Sequence, residues 1–136
     1  MSATGQCLCG EVRFAFGGEP LFTLHCHCQS CRRFSGAAVA TYVGVTKSDF
    51  KCEEGAISFH ESAPGIRWGS CATCGTSICY EADWCADEIH LLIGTLDTPD
   101  RYVPQRHSFY SERLAWLDLA SELPKSDESL STESRD

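Results

Sequence analysis

Three groups of cysteines stand at spacings suited to chelating a metal ion: Cys7-Leu8-Cys9-Gly10, Cys26-His27-Cys28-Gln29-Ser30-Cys31 and Cys71-Ala72-Thr73-Cys74-Gly75. In an extended segment residues i and i+2 project from one face, so Cys7 and Cys9 can offer two thiolates to one ion, as can Cys26 and Cys28. The Cys-x-x-Cys pairs reach the same result through a turn. A glycine after the second thiol, Gly10 or Gly75, allows the left-handed backbone that aims amides at sulfur. Tetrahedral Zn²⁺, bound about 2.3 Å from each sulfur, needs such close pairs. Ten cysteines in 136 residues demand metal, disulfide or redox chemistry. The start, Met1 to Cys7, has no secretory character, and the chain reads as cytoplasmic, where thiols stay reduced and patterned cysteine favours metal over a disulfide framework.

Counting ligands suggests an architecture of two zinc ions per chain. Cys7, Cys9, Cys71 and Cys74 make two pairs, enough for a closed structural site. Cys26, Cys28 and Cys31 then remain as three ligands with one position open, the pattern of a catalytic zinc. A different pairing of the clusters stays open, as does a second closed site completed by His27, Cys52, Cys79 or Cys85. His27 is ill placed for that, because between two same-face thiols on a strand its ring points the other way.

Other candidates surround these clusters. Arg32 and Arg33 follow Cys31 directly and either guanidinium can grip a substrate carboxylate, although a surface pair on a short helix is an equal reading. Arg67 is a third cation of this kind. His90 and His107 read as hydrogen-bonded sheet histidines more than proton shuttles. Phe14, Phe34, Trp68, Trp84 and Trp116 read as core or pocket wall. Cys52, Cys79 and Cys85 read as small buried groups, with a Cys79–Cys85 redox pair as the alternative.

The elements that must position these side chains are short. Alternating or apolar runs at Val12–Phe16, Leu21–Cys26, Val39–Val43, Ile57–His60, Ser77–Tyr80 and Ile89–Ile93 predict strands, separated by Gly and Pro at turns that include Gly44. The one helical candidate is Ser30–Ser35 with Ser30 as N-cap, and Ser111–Leu114 predicts a turn. The class is mainly β, in several small sheets.

Composition bounds the rest. A chain of 136 residues at 43% hydrophobic fits one domain, placed at residues 1–120. Residues 121–136 hold five acids, two bases and many hydroxyls, and predict a disordered tail. A net charge of −8 argues against nucleic acid and anionic membranes as partners, and no run approaches a membrane span.

The motifs Cys7-x-Cys9-Gly10-x-Val12-x-Phe14, Cys26-His27-Cys28-x-x-Cys31-Arg32-Arg33-x-x-Gly36 and Cys71-x-x-Cys74-Gly75-Thr76, with Gly94-Thr95-Leu96-Asp97, His107 and Trp116, resemble the glutathione-dependent formaldehyde-activating enzyme family. The resemblance runs from about Gly5 to Trp116. It implies an Mss4-like, β-tent fold, a structural zinc on Cys7, Cys9, Cys71 and Cys74, and a catalytic zinc on Cys26, Cys28 and Cys31. It also implies a carbon–sulfur lyase whose partners are glutathione and a small aldehyde, formaldehyde, giving S-hydroxymethylglutathione. The competing expectations are the same chemistry on another thiol or small aldehyde, and a non-catalytic, zinc-stapled binding module.

Overall fold

The computed structural model describes residues 2–128. Met1 and residues 129–136, the end of the acidic tail, lie outside the described residues. Strands β1 (Ala3–Gln6), β2 (Arg13–Phe16) and β5 (Phe50–Glu54) form a small sheet in the order β1-β2-β5. A second sheet contains β3 (Phe22–Cys26), β4 (Ala40–Thr46), β6 (Ile57–Ala63), β7 (Ile66–Cys71), β8 (Ser77–Ala82), β9 (Glu88–Leu92) and β10 (Arg106–Ser108), in the order β10-β3-β4-β9-β8-β7-β6. Pairing is antiparallel except between β10 and β3, which run parallel. The mainly β class therefore holds, although most strands gather in one broad sheet. The one α-helix, α1 (Gln29–Ser35), joins β3 to β4.

Two apolar clusters sit on opposite faces of the broad sheet. Phe14 and Phe16 of β2 pack on Val43 and Val45 of β4 and on Ile89 and Leu91 of β9, closing the space between the sheets. Burial of each such side chain contributes about 1.5–3 kcal/mol. Because side chains alternate along a strand, Tyr42 and Leu92 point to the other face, where they meet Phe22, Leu24, Cys26 and Cys31. β3 and β9 are buried at every position, since both of their faces are covered.

Gly44 corrects one expectation. It lies inside β4, not at a turn, and the ring of Phe22 occupies the space a Cβ would need. A side chain at 44 would push that ring away.

The segment beginning at Ser121, expected as a tail, is docked over its described part. The His107 amide donates to the Pro124 carbonyl at 2.8 Å and the Ser126 amide to the His107 carbonyl at 3.0 Å. Ser108 Oγ donates to the Glu128 carbonyl at 2.7 Å. The chain thus covers the free edge of β10, and backbone pairing supplies what the polar side chains of this segment cannot.

Candidate metal centres and substrate cavity

Cys7, at the end of β1, and Cys71, at the end of β7, open two similar turns. The Gly10 amide donates to the Cys7 carbonyl at 3.1 Å and the Gly75 amide to the Cys71 carbonyl at 2.9 Å, with both glycines near φ +80°. The Val12 amide points at Cys7 Sγ (3.3 Å) and the Cys74 amide at Cys71 Sγ (3.4 Å). The sulfurs of Cys7, Cys9, Cys71 and Cys74 all lie within 4.8 Å of one another, with Cys7–Cys9 at 3.6 Å and Cys9–Cys71 at 3.9 Å. Two sulfurs about 2.3 Å from one ion at the tetrahedral angle stand about 3.8 Å apart. The donor set therefore fits a closed four-thiolate site.

The second cluster is built by the end of β3 and the start of α1. Cys26 Sγ lies 3.4 Å from both Cys28 Sγ and Cys31 Sγ. The helix begins at Gln29, and its N-cap is Cys28, two residues before the expected Ser30: Cys28 Sγ accepts the Cys31 amide at 3.3 Å. One thiol thus caps the helix and faces its neighbours. Donation from the Cys26 and Cys31 sulfurs, with the Cys31 amide, holds Cys28 down to about 3, while Cys26 is pushed up to about 12 mainly by the Cys28 sulfur. Cys31 is pushed up by the Cys26 and Cys28 sulfurs. Unaided, this crowded trio keeps a single thiolate; a cation among the sulfurs is what allows all three to be anionic. The set fits a zinc ion with three protein ligands.

His27 does point away from the sulfurs, as alternation requires. Its Nε2 is 2.8 Å from His107 Nδ1, and His107 Nε2 is 2.9 Å from the Ala120 carbonyl. His25 Nδ1 sits 2.7 Å from Thr41 Oγ1 and its ring stacks on His107. Burial, followed by the neighbouring His107, lowers both His25 and His27 to about 4.

The three sulfurs line one wall of a cavity of about 380 Å³ whose other walls include Phe22, Trp68, Tyr80, Trp84 and Phe109. Tyr42 contributes a buried hydroxyl that has no oxygen or nitrogen partner and lies against the Cys31 sulfur. Burial first, and the Cys31 sulfur second, push this phenol well up, so it stays protonated. Glu112, at the mouth, accepts the Gln29 amide at 3.0 Å and ties the turn after β10 to α1. A second groove shares Ser30 and Trp68 with the cavity and is lined by Arg33, His60, Ser62, Ser70 and Ser77.

The family model of the glutathione-dependent formaldehyde-activating enzyme matches residues 2–112. The chain belongs to that family. A crystal structure of a Rhodobacter sphaeroides protein is similar to this family member, with a TM-score of 0.59 at 19% identity over 90% of this chain and 99% of that one, which shows a shared fold. No curated protein matches the chain.

The remaining sequence candidates separate clearly. Arg32 turns back, its Nε donating to the His27 carbonyl at 3.2 Å, whereas Arg33 lines the second groove. Arg67 pairs with Asp83 at 3.0 Å, away from the sulfurs. Trp116 is no core residue: it is 73% exposed. Trp68 walls the cavity and packs against Phe34 with the rings tilted and 4.8 Å between centroids, while Phe14 is core. Cys79 is buried in the core; Cys85 instead groups with Glu88 and His90, whose side chains meet at 2.9 Å. Cys52 donates to the Glu54 carbonyl. Tyr42, Tyr80, Phe109 and Glu112 carry no motif, and only the alternation of β4, which sets Tyr42 opposite the core face of Val43, offered a signal for any of them. No described helix is long and apolar enough to cross a membrane.

Proposed function

We propose that this protein is a zinc-dependent carbon–sulfur lyase that adds a thiol, glutathione in the family's reaction, to a small aldehyde and reverses that addition. Cys7, Cys9, Cys71 and Cys74 hold a structural zinc, and Cys26, Cys28 and Cys31 hold a second. The observation that supports this most is the position of the three-sulfur cluster, on the wall of an open cavity and beside a groove that carries Arg33. Zinc on three thiolates supplies a positive centre that favours the ionised form of an incoming thiol.

The chain's own residues do the rest. Cys28, fixed as helix cap, and Cys26, fixed at the end of β3, hold the sulfurs in register. Arg33 receives a glutathione carboxylate; Arg32 braces the loop through the His27 carbonyl. In the addition, the thiol sulfur forms the C–S bond to the carbonyl carbon, the carbonyl π pair moves to oxygen, and that oxygen takes up the proton the thiol lost. The apolar walls keep bulk water from the reacting atoms, and positioning provides the acceleration. Cysteines patterned for metal binding suit a reducing compartment such as the cytoplasm.

Exchange spectroscopy by NMR on glutathione with an aldehyde, with and without protein, tests the reading. Faster exchange at catalytic protein levels, abolished by Cys28→Ala, is expected. Exchange unchanged from the uncatalysed rate contradicts it and leaves a zinc-stapled binding module.

A further inference from the structure

We propose that the aldehyde taken by this chain carries an aromatic ring or an apolar group of similar size, with its carbonyl oxygen on the Tyr42 hydroxyl. This rests on the thiol–aldehyde reading above and narrows its substrate class.

The argument begins with volume. Formaldehyde has two heavy atoms, whereas the cavity beside Cys26, Cys28 and Cys31 measures about 380 Å³. A dry cavity of about 150 Å³ holds benzene. The space therefore takes a ring and still leaves room for the reacting thiol group.

The walls repeat the message. Trp68 and Tyr80 lie 4.9 Å apart between ring centroids, and Trp84 Nε1 donates to the Tyr80 hydroxyl at 2.9 Å. That bond fixes the angle of the Trp84 indole, which is 38% exposed. Phe22 is seated over Gly44 and Phe109 closes a further side. Rings held at fixed angles favour edge or offset contacts with another ring.

Polar groups decide orientation. The lining contains no lysine or arginine, and its one carboxylate, Glu112, lies at the mouth. A carboxylate-bearing aldehyde, or the charged ends of glutathione, would lie here without a guanidinium or ammonium partner, and the one histidine of the lining, His90, is already bonded to Glu88. Glutathione's charged body belongs instead in the adjoining groove with Arg33. Inside the cavity, the Tyr42 hydroxyl is buried beside the Cys31 sulfur, its one hydrogen-bonding neighbour among the described residues. It is a donor beside the cluster, within the same cavity, and can receive the aldehyde oxygen while the carbon meets a thiol sulfur there. The reaction is a net addition: the C–S bond forms, the carbonyl π bond breaks, and the thiol's proton ends on the alkoxide oxygen, to which Tyr42 donates a hydrogen bond.

Zinc-loaded protein answers two questions separately. For the cavity, benzyl alcohol is titrated as an unreactive ring probe by calorimetry. A Kd of about 1 mM or tighter, weakened about tenfold in Trp84→Ala, is expected; no binding to the wild-type protein overturns the proposal. For the reaction, kcat/KM with glutathione is compared for benzaldehyde, glyoxylate and formaldehyde. Benzaldehyde should exceed each of the others about tenfold or more, with that preference reduced in Trp84→Ala. Turnover of formaldehyde with benzaldehyde inert, or glyoxylate preferred, overturns the proposal while the lyase reading stands. Turnover of no aldehyde contradicts the lyase reading, and benzyl alcohol binding in that case supports the aromatic assignment of the cavity alone.

Discussion

His27 Nε2 lies 2.8 Å from His107 Nδ1, behind the three-sulfur cluster. The Ala120 carbonyl on His107 Nε2 requires a proton there, so His107 Nδ1 accepts and His27 Nε2 donates. His27 Nδ1, buried with no partner, then carries only a lone pair. The chain of bonds works with neutral rings, and a proton added to His27 meets burial and the neighbouring His107.

This arrangement sets a pH dependence. His25 and His27 are lowered from 6.5 to about 4, so between those values the unfolded chain binds more protons than the folded one. Stability from the neutral rings is complete above pH 6.5 and is lost as pH falls through 4. Denaturant unfolding between pH 7 and 4.5 should fall more steeply for the wild type than for His25→Gln. The zinc sites are common to both chains, so parallel curves would contradict the assignment.

The two cysteine clusters should respond differently to loss of one sulfur. Structural zinc contributes about 10–16 kcal/mol in small zinc domains, against a total stability of about 5–15 kcal/mol, so Cys74→Ala should be insoluble or unfolded. Cys28→Ala should fold, bind one zinc fewer and lose activity, as read by circular dichroism and metal analysis. Equal folding defects would make both sites structural.

Tyr42→Phe removes a buried hydroxyl whose one hydrogen-bonding neighbour among the described residues is the Cys31 sulfur. Its unfolding midpoint should change little, because a single intramolecular hydrogen bond contributes only about 1 kcal/mol net. Activity should drop about 100-fold if the hydroxyl supports the forming oxyanion. Full activity in a well-folded variant would remove Tyr42 from the reaction.

Ending the chain at Leu123 deletes the partners of the His107 amide and carbonyl, on a residue that is fully buried. A loss of about 1–3 kcal/mol in denaturant unfolding is expected. An unchanged midpoint would show that the docked segment adds nothing.

Much of this site was legible from cysteine spacing alone, because chelation needs short, local sequence patterns. Six strands were legible for a similar reason, since runs such as Ile89–Ile93 are continuous in sequence. β7 was missed: Arg67 and Ser70 break its apolar pattern, and its pairing with β6 and β8 comes from distant residues. β4 was cut short because Gly44 reads as a turn until Phe22 is seen lying on it. The cavity was hidden for a deeper reason. Phe22, Tyr42, Trp68, Tyr80 and Phe109 come from separate segments, and only the register of the broad sheet brings them together beside Cys31. Composition likewise marked residues from Ser121 onward as tail, since backbone bonds to β10 leave no trace in side-chain type.

Anomalous diffraction at the zinc edge on crystals of the purified protein tests the central claim most directly. The account predicts two peaks per chain, one of them about 2.3 Å from the sulfurs of Cys26, Cys28 and Cys31, with no fourth side chain of the protein around it. A missing peak there, or a fourth ligand supplied by the chain itself, would contradict the claim.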